Sequence, residues 1–157
     1  MEPLNVSSFS IKPISAFRSD ARNLIQQLNS HNLSHCAPKD CHLMTPEEIE
    51  DKDCTLLGAF AGSVLVGIGA ICFHEDYAEV KRMFVLPKAR GTGVAEGILS
   101  ELSHLARSRD VSKIKLETSQ KFKAAVRFYE KNGFTACSQF GSYIDGPMNY
   151  YMEKTVN

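Results

Sequence analysis

The sequence predicts an α/β domain on a mixed, mostly antiparallel central sheet of about seven strands with flanking helices. Three observations carry that prediction. Three strand-like runs follow one another closely, Cys54 to Ala61, Val64 to Phe73 and Ala78 to Leu86, and strands joined by such short turns pair antiparallel. After Gly93 the apolar spacing changes: Val94, Ile98, Leu102 and Leu105 recur every three or four positions, the period of a helix. Ser112 to Thr118 then returns to a strand pattern. A strand-helix-strand passage is a right-handed crossover, so this strand lies parallel to the one before the helix.

The other elements follow from local signals. Phe9 and Ile11 alternate with polar neighbours in Ser8 to Ile14, a short first strand. Phe17, Ala21, Leu24, Ile25 and Leu28 fall on one helical face, giving a helix over 16–30 with Ser15 or Ser19 as its cap and stop signals at Asn29 to Asn32. Thr45-Pro46-Glu47-Glu48 combines a cap residue, a proline at the first helical position and early acids, and starts a short helix that ends near Asp53. Gly62-Ser63 is a two-residue hairpin connection, and His74 to Tyr77 makes the next turn. The helix after Gly93 runs to Ser108. Lys121 to Asn132 is helical through Ala125, Phe128 and Tyr129, with Asn132-Gly133 as its C-cap. Phe134 to Gln139 and Asn149 to Lys154 close the sheet. The order is β-α-α-β-β-β-α-β-α-β-β in a single domain over 1–157, without repeats or linkers.

Composition narrows the function classes. Eighteen basic and eighteen acidic side chains balance to zero net charge, which removes any global electrostatic case for nucleic acid or a membrane surface. The longest apolar run, Val64 to Phe73, is too short to span a bilayer, and Met1 to Ser10 shows no signal-peptide pattern, so the expected compartment is the cytoplasm. Five cysteines, Cys36, Cys41, Cys54, Cys72 and Cys137, are an odd number at irregular spacing, expected to be reduced, the last three as small core residues. His31, His35, Cys36, Cys41 and His42 are zinc-ligand types, but their spacing matches no common structural site, so a polar loop and no metal is the expectation.

The stretch Glu79 to Gly97 carries the chemistry. A strand stopped by Pro87, a glycine-rich bend and a helix N-terminus together make an anion site, because the first helical N–H groups lack partners and the helix dipole adds positive charge. Gly91-Thr92-Gly93 with Glu117 downstream also invites a dinucleotide-binding reading. Against it, the third glycine, Gly97, comes one residue late, and the loop follows antiparallel strands instead of opening a βαβ repeat.

Two motifs decide between phosphate ligands. Arg90-Gly91-Thr92-Gly93-Val94-Ala95 resembles the phosphate loop of the GNAT superfamily of acyl-CoA N-acyltransferases, and Phe128-Tyr129-Glu130-Lys131-Asn132-Gly133-Phe134 is similar to its second signature. The likeness covers nearly the whole chain. Ala78-Glu79-Val80-Lys81-Arg82-Met83, Leu116-Glu117-Thr118 and Phe140-Gly141-x-Tyr143 also resemble a small bacterial-type subgroup. The resemblance implies a GNAT-like fold and transfer of an acetyl group from acetyl-CoA to a primary amine of a small or amino-acid-like acceptor, by direct attack in a ternary complex. A non-catalytic acyl-CoA-binding module and a protein N-terminal or lysine acetyltransferase are the alternatives, and a homodimer is compatible with the pattern.

The resemblance also implies roles. Backbone N–H groups of Gly91, Thr92, Gly93, Val94 and Ala95 would converge on the coenzyme A pyrophosphate, with Arg90 adding charge. Backbone groups of Met83, Phe84 and Val85 would pair with the pantetheine arm, where a bulge splays this strand from its parallel neighbour, and an N–H near Phe84 or Val85 would face the developing oxyanion. Tyr129 would be the general acid for the leaving thiolate. Glu79 would be the base, although Lys81 shares its strand face and an ion pair there would weaken it; Glu117 is the second candidate, with His74, Glu75 and Asp76 in reserve. Tyr143 and Asp145 are expected to line the acceptor pocket. One departure stands out: Phe122 occupies the place where many members carry an asparagine that contacts pantetheine.

Overall fold

A computed structural model describes residues 8–35, 43–141, 146 and 148–157. Seven strands form one sheet in the order β1-β2-β3-β4-β5-β7-β6, with β1 Ser10–Pro13, β2 Cys54–Ala61, β3 Val64–Phe73, β4 Ala78–Val85, β5 Lys113–Ser119, β6 Thr135–Ala136 and β7 Asn149–Thr155. Four helices flank it: α1 Ser19–Leu33, α2 Pro46–Asp51, α3 Val94–Ser108 and α4 Lys123–Lys131. All neighbouring strands are antiparallel except β4 and β5, which are parallel as the crossover through α3 requires. No helix among the described residues is long and apolar enough to cross a membrane.

The sheet separates two apolar layers. Val80, Ile114, Leu116 and Met152 pack with Ile98 and Leu102 of α3 and with Tyr129 and Phe134, whereas Leu56, Ile68 and Phe84 pack with Leu24, Ile25 and Leu28 of α1 and Ile49 of α2. Because strand side chains alternate, Lys113, Lys115 and Glu117 of β5 take the α1/α2 face opposite Ile114 and Leu116. Two glycines of β3 set the depth of α3. A Cβ on Gly67 would lie 2.9 Å from Val94 Cγ1, and one on Gly69 would lie 2.5 Å from Ile98 Cγ2, so only bare backbone lets the N-terminal half of α3 come this close.

Several expectations meet a different local outcome. Neither Ser15 nor Ser19 caps α1; Arg18 stands at the cap position, its side chain bonded to Asp20 and not to the helix backbone, and burial of Leu28 carries the helix past the asparagine stop signals to Leu33. The expected cap of α2 is present as a full capping box, Thr45 with Glu48. The strand expected over Phe134 to Gln139 shrinks to two residues, because Phe134 is drawn into the end of α4 by its N–H bond to Tyr129 O (3.0 Å).

The expectation of reduced thiols is corrected for one pair. Cys54 and Cys72 are register partners on β2 and β3 and form a disulfide, with Cα atoms 4.0 Å apart. Cys137 is a free thiol, and Cys36 and Cys41 lie outside the described residues.

Candidate active site

The site grows out of one irregularity in β4. Ala70 pairs with Lys81 but Ile68 pairs with Phe84, so Arg82 and Met83 together stand opposite Gly69, a bulge in which Arg82 adopts φ 56°. On its other edge β4 pairs with β5 only at Ala78↔Ile114 and Glu79↔Lys115. Beyond Glu79 the two parallel strands part, and the edge from Val80 to Val85 has no ladder partner there. Of the expected Met83, Phe84 and Val85, the register separates the last two: Phe84, paired with Ile68 in step with the Leu86 N–H to Val66 O bond, turns its backbone groups to β3, whereas Val85 turns its own to the free edge, where its N–H can meet an extended ligand and its O accepts from Arg90.

The bend after β4 ends at α3. Pro87–Ala89 form a single 3₁₀ turn, Gly91 and Gly93 sit at φ 75° and 91°, and Gly93 is the N-cap of α3. Among the described residues no N–H from Gly91 to Ala95 donates to a backbone carbonyl, and a Cβ on Gly91 or Gly93 would meet nothing within 4 Å. This leaves a cluster of donors around open space at a helix N-terminus, which fits a pyrophosphate in charge and shape. Thr92 braces the bend by donating its hydroxyl to Ala89 O, and Arg90 Nε donates to Val85 O at 3.0 Å. Arg90 is thereby tied to the end of β4 and also lines a cavity of about 470 Å³ with Asn23, Gln27, Ser30 and His31 of α1 and with Phe84.

The two candidate bases share the α1/α2 face but differ in surroundings. Glu79 is 4% exposed; its Oε1 lies 3.1 Å from His74 Nε2 and its Oε2 lies 3.5 Å from Lys81 Nζ. Both of its oxygens are engaged. Glu117 has no ion pair or side-chain hydrogen bond among the described residues. Burial pushes its carboxyl up to about 7; Lys81 pulls against that rise and Glu79 adds to it. Glu75 and Asp76 are exposed in the turn before β4.

Tyr129 is the buried residue of α4 and is held between Phe128 and Phe134, with ring centroids 5.2 and 5.5 Å away. Burial raises its pKa, so the hydroxyl stays protonated at neutral pH. It makes no protein hydrogen bond among the described residues, yet it is not sealed off, since Arg82 Nε is the one fully buried unpartnered side-chain nitrogen or oxygen among them.

Residues to which the motifs gave no role complete the face. Arg82 is 6% exposed and donates through Nη2 to Asn29 Oδ1 of α1 (2.5 Å), leaving its Nε without a partner; burial lowers its pKa to about 10, still charged at neutral pH. A charged residue inside an apolar strand was the sequence signal available. Lys115 Nζ sits 5.5 Å from the rings of both Tyr77 and Phe140. Phe122 stacks on His31 (5.4 Å) and meets His35 edge-on (5.4 Å), joining the end of α1 to the start of α4. Cys36, Cys41, His42, Tyr143 and Asp145 lie outside the described residues.

Known proteins share this fold. The model of the "Acetyltransferase (GNAT) family" matches residues 20–134. The IAA acetyltransferase of Azospirillum brasilense is 32% identical over 135 residues, spanning 85% of this chain and 88% of the relative. The crystal structure of a putative acyl-CoA N-acyltransferase from Klebsiella pneumoniae superposes with a TM-score of 0.81 at 26% identity, covering 96% of this chain and 99% of the other. The PaiA N-acetyltransferase of Thermoplasma acidophilum, solved in complex with coenzyme A, superposes with a TM-score of 0.73 at 21% identity over 94% of this chain and 98% of its own. The chain belongs to the acetyltransferase (GNAT) family, the acyl-CoA-dependent N-acetyltransferases.

Proposed function

We propose that this protein transfers the acetyl group of acetyl-CoA to the primary amine of a small molecule, in the cytoplasm, by direct attack within a ternary complex. The observation that carries this reading is the parting of β4 from β5 beyond Glu79, with the donor-rich bend at one end of the gap and the carboxyl of Glu117 beside it. Acetyl-CoA, when bound, supplies the activated thioester.

The chain's residues would then divide the work. N–H groups of Gly91 to Ala95 would hold the pyrophosphate, and the free edge of β4 around Met83 and Val85 would align the pantetheine arm, so the reacting carbon would be fixed near the sheet. The N–H of Val85, the one of the two expected donors that points to the free edge, would face the carbonyl oxygen as charge develops on it. Glu117 takes the amine proton: a carboxyl near 7 is ionised often enough to act and basic enough to be effective. Glu79, with both oxygens engaged, orients Lys81 and His74 instead of acting as the base. Tyr129, protonated at neutral pH, gives its proton to the departing thiolate.

Relatives named for spermidine and for streptothricin differ in acceptor, so the acceptor must be sought in this chain's own α1/α2 face. The test has two parts. Thermal shift with acetyl-CoA and with NAD separates ligands, since a ligand at about a hundred times its Kd adds about 2.7 kcal/mol. Free-thiol release is then followed across a panel of amines. Stabilisation by NAD and none by acetyl-CoA, or acetyl-CoA binding with no amine-dependent thiol release, overturns the proposal.

A further inference from the structure

Among the described residues Arg82 has no acid to answer it. Its guanidinium is buried between β4 and α1, and among the described residues its single side-chain bond goes to the neutral amide of Asn29 and its Nε has no partner. Among the described residues no carboxylate forms an ion pair with it: Glu79, the acid of the same strand, is engaged by Lys81 and His74. A buried charge without a counter-charge is costly, and an Arg at φ 56° adds backbone strain, a combination that is kept where function requires it.

The bulge also decides which way Arg82 faces. Met83 turns toward α3, where its sulfur lies 2.6 Å from the Cβ position of Gly69, while Arg82 reaches α1 on the face that carries Glu79, Lys81 and Phe84. Glu117 of β5 projects to that same face. Phe84, two residues on, lines the 470 Å³ cavity together with Ser30 and His31, the α1 residues that follow Asn29. Nε is sealed from any ligand, but Nη1 has no hydrogen bond among the described residues and is not fully buried, and a guanidinium with that open N–H beside a proton acceptor is suited to a ligand carrying both a carboxylate and an amine.

We propose that Arg82 is the receptor for a carboxylate on the acceptor, and that this protein acetylates amines that also bear a carboxylate, with Asn29 holding the guanidinium in place. This rests on the acetyltransferase reading above and narrows its acceptor. Arg82 binds the carboxylate through Nη1, with Nη2 held by Asn29, which fixes the amine on the Glu117 side of the gap.

Matched acceptor pairs test it: free amino acids against the corresponding amino-acid amides, with the wild-type protein, Arg82→Asn and Asn29→Asp. Asparagine tolerates positive φ, so the first variant keeps the bulge. The second supplies Arg82 with an internal carboxylate at the position of the amide it already binds. The wild type is expected to favour the free acid through KM. Arg82→Asn should raise KM for the acid by about thirtyfold or more, with kcat for the amide and KM for acetyl-CoA changed less than about threefold. Asn29→Asp should raise KM for the acid selectively while leaving the thermal midpoint equal or higher. Turnover of acid and amide at equal efficiency by the wild type, turnover of neutral amines alone, or equal loss on both substrates in Asn29→Asp overturns the proposal while leaving the transferase reading intact. Absence of acetyl-CoA binding or of any thiol release overturns both.

Discussion

Replacing Glu117 with glutamine separates a catalytic carboxyl from a merely buried one, because stability and rate should move in opposite directions. Burial holds the carboxyl at about 7 against an ordinary 4.5. Between those values the folded chain binds more protons than the unfolded one, so the stability linked to this group is complete below pH 4.5 and is lost as pH rises through 7. At about 1.4 kcal/mol per pH unit, the difference amounts to about 3 kcal/mol. Glutamine does not ionise. Glu117→Gln should therefore be more stable than wild type by up to about 3 kcal/mol near pH 8, and nearly equal to it near pH 4.5. Its kcat/KM should fall by about 10² to 10⁴, the range of general-base contributions. The wild-type profile should climb about tenfold per unit up to a bend near pH 7, and the variant should lose that bend. Urea unfolding at the two pH values and thiol release across the range are the measurements. A stability gain of equal size at both pH values, or a bend that survives the substitution, refutes the assignment of the base.

Three further outcomes follow from the same geometry. Tyr129→Phe keeps the ring packing against Phe128 and Phe134 and should leave the thermal midpoint and acetyl-CoA affinity unchanged while lowering kcat by about 10² or more; full turnover would remove the acid role. Gly93→Ala meets no steric obstacle, since nothing lies within 4 Å of the new Cβ, so its cost is conformational at φ 91°, about 1–2 kcal/mol in urea unfolding, together with weaker acetyl-CoA binding by calorimetry. Reducing the Cys54–Cys72 bond, which closes a sequence separation of 18, should lower stability by about 3 kcal/mol, and Cys54→Ser should show the same loss without added reductant.

How much of this was legible depended on whether a signal was local. Strands β2 and β3 end where expected because Gly62-Ser63 fixes the hairpin, and α3 begins where expected because Gly93 stops one backbone conformation and starts another. The disulfide was hidden by an irregularity without a local signature. Carried regularly from the Ala61↔Val64 pair, the hairpin would set Cys54 opposite Ile71; the slip between Ala59 and Phe60 moves it opposite Cys72. The choice of base was hidden for a similar reason. Strand alternation puts Glu79 and Glu117 on one face, but their difference lies in partners and depth, which depend on Lys81 and His74 folding onto one carboxylate and leaving the other.

The bulge in β4 accounts for more of the site than any single side chain. Before it, the odd-numbered Glu79 and Lys81 face α1 and the even-numbered Val80 faces α3; after it, Phe84 faces α1 and Val85 faces α3. An unbroken strand would turn Phe84 into the α3 layer and Val85 toward the α1 cavity, and Arg82 would project among Ile98 and Leu102, where a guanidinium has no place. One inserted residue thus keeps both apolar layers intact and turns a charge toward the acceptor face. It also adds local twist on the stretch where β4 leaves β5. The strain at Arg82 and the gap between the strands have a common cause, so a change that regularised β4 would close the cleft and misplace the arginine together.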